Sequence, residues 1–433
     1  MTDTLFALAT PPGRGAIAVI RLSGPGVGAA LEGLGAGRPE PRRAVLRRLR
    51  HEGEVLDEAL VLRFVAPHSY TGEDVAELHL HGGRAVVEAV SAALLELGLR
   101  PAEAGEFTRR AFQNGRMDLT RAEAVADLID AETAAQARQA LGQLDGALAR
   151  TYAGFRAGLL RALALVEAEI DFPDEDMPDQ LAQQAGPELD ALTVALDAAL
   201  SDAGRGERVR DGYRAVLIGE TNAGKSALFN ALVEREAAIV TAIPGTTRDV
   251  LDAELEIGGY RVRLSDTAGL RDSDDPVEAE GVRRARARAE AADLRLWVRG
   301  PGDPAGAAAA YVRPDDLVVF SKADLAATAP VGQGFSVSAA TGEGLEVLRA
   351  ALADRVARDL AGADFPPVTR ARHRRRLEAA RIAVLAARCH LADAPELAGD
   401  DLRRAADALA AVTGEVGVED ILGEVFSSFC IGK

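Results

Sequence analysis

The spacing of apolar and polar positions changes several times along this chain of 433 residues. Up to about residue 117, short apolar runs (Ala16 to Arg21, Ala59 to Phe64, Val75 to His79) read as strands and Arg84 to Leu97 as a helix. That mixture predicts a small α/β domain. From Leu119 to Ile170 apolar residues recur at i, i+3 and i+4 among Ala, Leu, Arg and Glu, which predicts long helices. Asp171-Phe172-Pro173-Asp174-Glu175 interrupts the pattern, and a further helix is expected over roughly Gln180 to Asp202. Gly204 to Gly212 is polar and glycine-rich and reads as a linker.

A second α/β pattern follows. Tyr213 to Ile218 reads as a buried strand and Ala227 to Val233 as a helix. Val250 to Ile257 and Tyr260 to Ser265 flank Gly258-Gly259, a two-residue hairpin signal. Leu294 to Val298, Leu317 to Phe320 and Phe335 to Val337 are further strand candidates, and this domain ends near Ala361. Helical patterning resumes at about Thr369 and runs nearly to the C-terminus. Two helical stretches flanking one insert predict a discontinuous helical bundle carrying an inserted module that moves with its ligand state. The expected boundaries are 1–117, 118–210, 211–361 and 362–433, and the expected class is α/β plus all-α.

Composition narrows the setting. The chain has 48% hydrophobic and 27% charged residues, an ordinary globular balance. No run approaches the roughly 18 apolar residues of a membrane span. The start, Met1-Thr2-Asp3-Thr4, lacks a signal-peptide pattern, and two cysteines point to a reducing, cytoplasmic setting. The formal net charge of −17 argues against broad nucleic-acid binding, so any RNA is met locally or through a second protein. The basic runs Arg42 to Arg50, Arg283 to Arg288 and Arg370 to Arg376 read as solvated helix faces or salt bridges.

Chemistry enters at Gly219-Glu220-Thr221-Asn222-Ala223-Gly224-Lys225-Ser226, the phosphate-cradling pattern of Gly, four residues and Gly-Lys-Ser. Its glycines let backbone N–H groups close around phosphates at a helix N-terminus, where the dipole also favours anions. Lys225 supplies a point charge and the Ser226 hydroxyl can ligate magnesium. In Asp266-Thr267-Ala268-Gly269, Asp266 is placed to hold the magnesium shell through water, and Gly269 to bring an N–H to the γ-phosphate. In Ser321-Lys322-Ala323-Asp324, Asp324 would accept from the guanine N1 and N2 hydrogens while Lys322 lies along the base. The backbone of Ser338-Ala339-Ala340 would read the guanine oxygen. Each later motif is common singly. Four in order, each after a strand candidate, imply a GTPase. Ser321 stands where the usual motif has Asn, which predicts retained guanine selectivity with weaker nucleotide affinity.

At this point the chain resembles the MnmE (TrmE) family of tRNA uridine-modifying GTPases along essentially its whole length. The resemblance is carried by Ala9-Thr10-Pro11-Pro12-Gly13-Arg14-Gly15, Thr71-Gly72-Glu73-Asp74, His81-Gly82-Gly83 and Gly105-Glu106-Phe107-Thr108. It continues in Ala122 to Ile129, Asp171 to Glu175, Gly245-Thr246-Thr247-Arg248-Asp249 and Asp266 to Arg271. It closes with Phe426-Ser427-Ser428-Phe429-Cys430-Ile431-Gly432-Lys433. It implies an N-terminal domain that binds tetrahydrofolate (5-formyl or methylene) and forms a homodimer, a helical domain, and an inserted Ras-like P-loop GTPase. It also implies an FAD-dependent partner, MnmG (GidA), with which such proteins add a carboxymethylaminomethyl or aminomethyl group to the wobble uridine of certain tRNAs.

The resemblance further assigns residues. Asn222, Thr241, Ile243 and Thr246 match a potassium site that replaces the arginine finger, and Ser226 and Thr247 match the magnesium ligands. The remaining nucleotide contacts fall on Ala223, Gly224, Lys225, Ala227, Thr267 and Ala268. Glu278, twelve residues past Asp266, matches the glutamate that orients the attacking water. The folate contacts map to Arg21, Glu77, Arg116 and Lys433, so the C-terminal tail must reach back to the N-terminal domain. Many family members carry Lys where Arg116 stands, a swap that keeps charge but changes geometry. Cys430 reads either as a reactive thiol or as a small buried hydrophobe, and Cys389 as a core residue. His79 and His81 alternate on a strand with no third ligand at metal-site spacing, so they read as structural or as lining the folate pocket. Two other readings stay open: a ribosome-assembly or signalling GTPase, and a folate-dependent one-carbon transferase with a regulatory GTPase. The first lacks support from any basic C-terminal domain.

Overall fold

The computed structural model describes residues 3–171, 180–235, 252–266, 283, 286–301, 312–326, 333–362, 365–416, 422–423, 425–426, 429 and 431–432. The elements begin with β1 (Leu5–Leu8), β2 (Ile17–Ser23), α1 (Val27–Gly33), β3 (Val45–His51), β4 (Glu54–Phe64) and β5 (Val75–His81). Next come α2 (Arg84–Glu96), β6 (Arg100–Pro101), α3 (Glu106–Gln113), α4 (Leu119–Ile129), α5 (Ala134–Leu144) and α6 (Ala147–Asp171). After α7 (Gly186–Ser201) and α8 (Ala203–Asp211) the second sheet opens with β7 (Tyr213–Ile218), followed by α9 (Lys225–Arg235). Then come β8 (Asp252–Ile257), β9 (Tyr260–Asp266), β10 (Leu294–Arg299), β11 (Leu317–Phe320) and β12 (Phe335–Ser336). The last helices are α10 (Leu345–Leu360), α11 (Ala371–His390) and α12 (Pro395–Thr413).

Two compact units emerge. One comprises Met1–Ala126, Gln143–Asp190 and Ile382–Lys433; the other comprises Asp127–Gly142 and Ala191–Arg381. The first holds a sheet of order β3-β4-β5-β2-β1-β6, antiparallel except for the parallel pair β1–β6. The alternating apolar residues of β2 and β5 put Ile20, Leu22, Ala76, Leu78 and Leu80 on one face, packed against Val27, Leu31, Val90 and Leu94 of α1 and α2. Elsewhere in this unit α6 packs on α12, where Gly399 lets Val166 and Ile170 approach closely. The C-terminal segment belongs here too: Val425, Phe426 and Phe429 pack with Leu119, Ala122 and Ala126.

The second unit is built on a sheet of order β12-β11-β10-β7-β9-β8, parallel throughout except for the antiparallel edge strand β8. Buried on both faces, β7 is a continuous apolar run, with Ala215, Val216, Leu217 and Ile218 all at most 3% exposed. Successive strands leave β7 in opposite directions, β9 on one side and β10 on the other. That makes the carboxyl end of β7 the topological switch point, where open α/β sheets place their ligands.

Three expectations are corrected. The glycine-rich stretch expected as a linker is the helix α8. Gly206 in it serves close packing instead of flexibility, since a Cβ there would lie 2.1 Å from the Val368 carbonyl oxygen. Cys389, expected in the core, is exposed. On α11 the buried stripe runs through His373, Leu377, Ala380, Val384 and Ala387, and Cys389 lies off it. The run Arg42 to Arg50 is largely strand β3, with no helix, although its arginines do pair, Arg43 with Glu40 at 3.1 Å and Arg48 with Glu58 at 3.6 Å.

Candidate active site

The phosphate loop leaves β7 through Gly219, whose φ of +152° and contact with β10 admit no side chain: a Cβ would sit 2.2 Å from the Val298 carbonyl oxygen. The loop then passes Asn222 (φ +65°) and Gly224 (φ +96°) in left-handed backbone conformations before α9 begins at Lys225. Lys225 is buried, and its Nζ donates to the carbonyls of Gly219 (3.1 Å) and Glu220 (2.9 Å). The ammonium is thereby held inside the loop, facing the space where the helix dipole favours an anion. Ala223 is buried under the loop, while Asn222, Ser226 and Ala227 are exposed on it.

At the carboxyl end of β9, Asp266 accepts a hydrogen bond from Ser226 Oγ at 2.5 Å through Oδ2. Its other carboxylate oxygen, Oδ1, is buried with no hydrogen-bond partner among the described residues. A buried carboxylate oxygen left over beside a serine hydroxyl fits a divalent cation with a water shell, because an unpaired buried acceptor is otherwise costly. Ser226 and Asp266 are therefore the described residues that fit magnesium.

The base end is tied to the phosphate end. Lys322, itself left-handed at φ +53°, donates to the Asn222 carbonyl at 2.7 Å. The buried Ser321 hydroxyl reaches the carbonyls of Ala223 and, at 3.1 Å, of Arg299. It has one proton for two acceptors. Ser338, fully buried, donates to Asp324 Oδ1 at 2.6 Å and accepts from the Thr341 N–H at 3.1 Å, which orients an otherwise exposed carboxylate. Ala339 and Ala340 follow at the surface of the same loop. An amide at position 321 would supply two N–H groups to those two carbonyls. Ser321→Asn is expected to tighten GTP binding about 3- to 10-fold, roughly one net hydrogen bond. Titration with a fluorescent GTP analogue checks this, and unchanged affinity would refute it.

In the other unit Arg21 and Glu77 are register partners on β2 and β5, with Nη2 to Oε1 at 3.0 Å and Nε to Oε1 at 3.1 Å. The Arg21 guanidinium also lies 5.6 Å from the Tyr70 ring centre and 5.7 Å from that of Phe107. Its Nη1 donates to the Gly432 carbonyl at 3.5 Å. The C-terminal tail thus reaches the N-terminal sheet, where Ile431 pairs with Ala104 and Gly432 is pressed against Leu8. His79 faces Glu77 (3.3 Å) and His81 pairs with Asp57 (2.7 Å). Arg116 is exposed beside Gly72. Tyr70, whose hydroxyl is hydrogen-bonded to Thr108 Oγ1 at 2.7 Å, escaped the sequence reading. A single tyrosine between strands carries no periodic signal. Burial pushes the Tyr70 hydroxyl above its usual range, against the Thr108 hydrogen bond and the Arg21 charge, so it stays protonated. Thr241, Ile243, Thr246, Thr247, Thr267, Ala268, Gly269, Glu278, Cys430 and Lys433 lie outside the described residues.

Two family models cover nearly the whole chain. The model described as GTP-binding protein TrmE N-terminus matches residues 4–116, and the MnmE helical domain matches 119–430. The chain is 55% identical over 446 residues to the tRNA modification GTPase MnmE of Caulobacter vibrioides, covering 100% of both. It is 52% identical to the protein of that name from Maricaulis maris over 438 residues, again covering 100% of both. Among solved structures it is similar to the G domain of the T. maritima FeoB iron transporter, at 25% identity and a TM-score of 0.27, over 33% of this chain and 97% of that one. Full-length identity above half, on a phosphate loop and an N-terminal sheet built as described, places the chain in the MnmE (TrmE) family of tRNA modification GTPases.

Proposed function

We propose that this chain is a potassium-activated GTPase of tRNA modification. With the FAD-dependent MnmG (GidA), it installs a carboxymethylaminomethyl or aminomethyl group at C5 of the wobble uridine of certain tRNAs. The observation that carries the GTPase half is the loop in which the Gly219 and Glu220 carbonyls hold Lys225 Nζ and the adjoining Ser226 pairs with Asp266, whose second carboxylate oxygen is buried without a partner among the described residues. GTP is bound through Asn222 to Ala227, selected by Asp324 as Ser338 holds it, and accompanied by magnesium at Ser226, Asp266 and Thr247.

Asn222, with Thr241, Ile243 and Thr246, is the proposed potassium set. The ion supplies positive charge where negative charge builds between the β- and γ-phosphates. A neutral amide oxygen at an exposed left-handed turn suits a large, weakly hydrated cation. Glu278 orients the attacking water. Hydrolysis by the purified chain is expected to be at least tenfold faster in potassium than in sodium salts at equal ionic strength. Glu278→Ala should leave GTP affinity near normal and lower turnover by roughly 100-fold, within the usual range for general acid–base groups. Equal rates in the two salts would remove the potassium assignment, and undiminished turnover the glutamate.

The folate half of the proposal rests on the Arg21–Glu77 pair between two aromatic rings and the Gly432 carbonyl. A carboxylate reads the amide and amino face of a pterin, and the cations Arg21, Arg116 and Lys433 pair with its glutamyl carboxylates. Bound tetrahydrofolate supplies the one-carbon unit, with Cys430 beside it. Residues 1–117 form the folate-binding and homodimerising domain, 118–210 and 362–433 the helical domain, and 211–361 the GTPase, acting in the cytoplasm. Nucleoside analysis of wobble uridines in a deletion strain, with and without this chain, tests the whole reading.

A further inference from the structure

A cleft of about 890 Å³ opens in the second unit at the amino ends of β7 and β9, the end of the sheet opposite the phosphate loop. Its charges are layered. Arg214 pairs with Asp293 at 3.3 Å, Arg263 with Glu254 at 3.1 Å and Arg374 with Glu207 at 3.5 Å. In each pair the carboxylate is recessed, at 11, 16 and 18% exposed, while the guanidinium stands out at 55, 47 and 44%. Two of the recessed acids are shared: Asp293 also lies 4.0 Å from Arg208, and Glu254 also holds Arg261. Asp293 cannot neutralise both Arg208 and Arg214, so positive charge is left there, whereas Arg261 and Arg263 are matched by Glu254 together with Glu132, 3.3 Å from Arg261. Asp211, 63% exposed and tied to Arg210 at 3.0 Å, and the exposed Asp130 are opposing charges along the cleft.

We infer that this cleft is a docking surface for the phosphate backbone of the tRNA, with Arg214, Arg263 and Arg374 as the contacts. A guanidinium has five N–H donors, and one or two bonds to a recessed carboxylate leave the others for a second anion. The carboxylate beneath each arginine fixes its orientation in advance, which lowers the ordering cost of binding. In a chain with net charge −17, RNA must be met at such a local surface, because phosphate affinity comes from clustered cations. The inference rests on the tRNA reading above.

The test is equilibrium binding of the full chain to a fluorescent tRNA transcript with an unmodified wobble uridine, measured across a salt series. The triple variant Arg214→Gln, Arg263→Gln, Arg374→Gln is expected to bind at least tenfold more weakly at low salt. Its slope of log K against log salt should fall by about 3, one for each lost phosphate contact. The triple Lys variant should keep the slope, which a purely structural role of the three ion pairs would not predict. Should the Gln triple fail to fold, Arg374→Gln alone is expected to lower the slope by about 1. GTP hydrolysis should be unchanged throughout. An unchanged affinity and slope in the Gln variants overturns the inference, as does loss of poly-glutamate binding alone, which would mark a protein dock. Wild-type chain that restores wobble-uridine modification yet ignores the transcript also overturns it while the functional reading stands. Wild-type chain that restores no modification removes that reading itself.

Discussion

Gly219→Ala is expected to abolish measurable GTP binding and to cost roughly 3 kcal/mol or more of stability. Two independent effects add. The φ of +152° lies where a Cβ is disfavoured, at a cost on the order of 1–3 kcal/mol, and the methyl would meet the Val298 carbonyl oxygen at 2.2 Å. That oxygen belongs to the backbone of a buried parallel strand and cannot swing aside. The loop must move outward instead, carrying the Gly219 and Glu220 carbonyls away from Lys225 Nζ. The ammonium then loses its fixed position, and the cradle of N–H groups opens. Isothermal titration with GTP and a thermal melt check the two parts. Normal binding by the variant would show that the loop tolerates displacement and would sink the argument.

Arg110→Ala is the second large effect, expected to destabilise the N-terminal domain by ~3–5 kcal/mol because it takes a charge partner from the buried Glu106 and the largely buried Glu73. Arg110 is fully buried and reaches Asp3 (3.0 Å), Glu73 (2.9 Å) and Glu106 (3.4 Å), of which Glu106 is 2% exposed. Glu73 in turn accepts from Ser23 on β2 at 2.8 Å, two residues beyond Arg21, so the network underpins the candidate folate pocket. Acid should expose the same dependence. Burial raises the Glu106 carboxyl, but the Arg100 hydrogen bond, the Glu103 N–H and the charges of Arg100 and Arg110 outweigh it and leave it below its ordinary 4.5. The Arg100 hydrogen bond likewise holds Asp3 below its ordinary 3.8.

A carboxyl lowered in the folded state adds stability above its unfolded value and loses it as pH falls through the folded one. Stability of this domain should therefore be flat above about pH 5 and decline below it, and the decline should be shallower in Arg110→Ala, whose folded carboxyls lie closer to their unfolded values. Chemical denaturation followed by circular dichroism at a series of pH values measures both. A variant with unchanged midpoint and unchanged acid limb would mean that the network is solvated and contributes little.

The nucleotide site was legible because its parts are contiguous in sequence. Gly219 to Ser226 carries its own turn chemistry, and Asp266, Asp324 and Ser338 each follow a strand whose apolar run is visible unaided. The hairpin turn at Gly258-Gly259 was readable for the same reason, both residues having positive φ. What misled was composition without context. Gly204 and Gly206 look like a linker, yet they lie in α8, where Gly206 admits a neighbouring carbonyl and proline. Cys389 looks apolar among alanines and leucines, and only the phase of the α11 stripe leaves it outside.

By itself, then, the sequence determined the phosphate chemistry and the alternation of sheet and helix, since loop geometry and side-chain period are local properties of the backbone. Tertiary structure decided which distant residues share a charge. Arg21 meets Gly432 across 411 positions, Arg110 meets Asp3 across 107, and three arginines from β7, β9 and α11 turn outward over recessed acids at one cleft. Pairings of that kind depend on strand order and helix packing, which no window of neighbouring residues encodes.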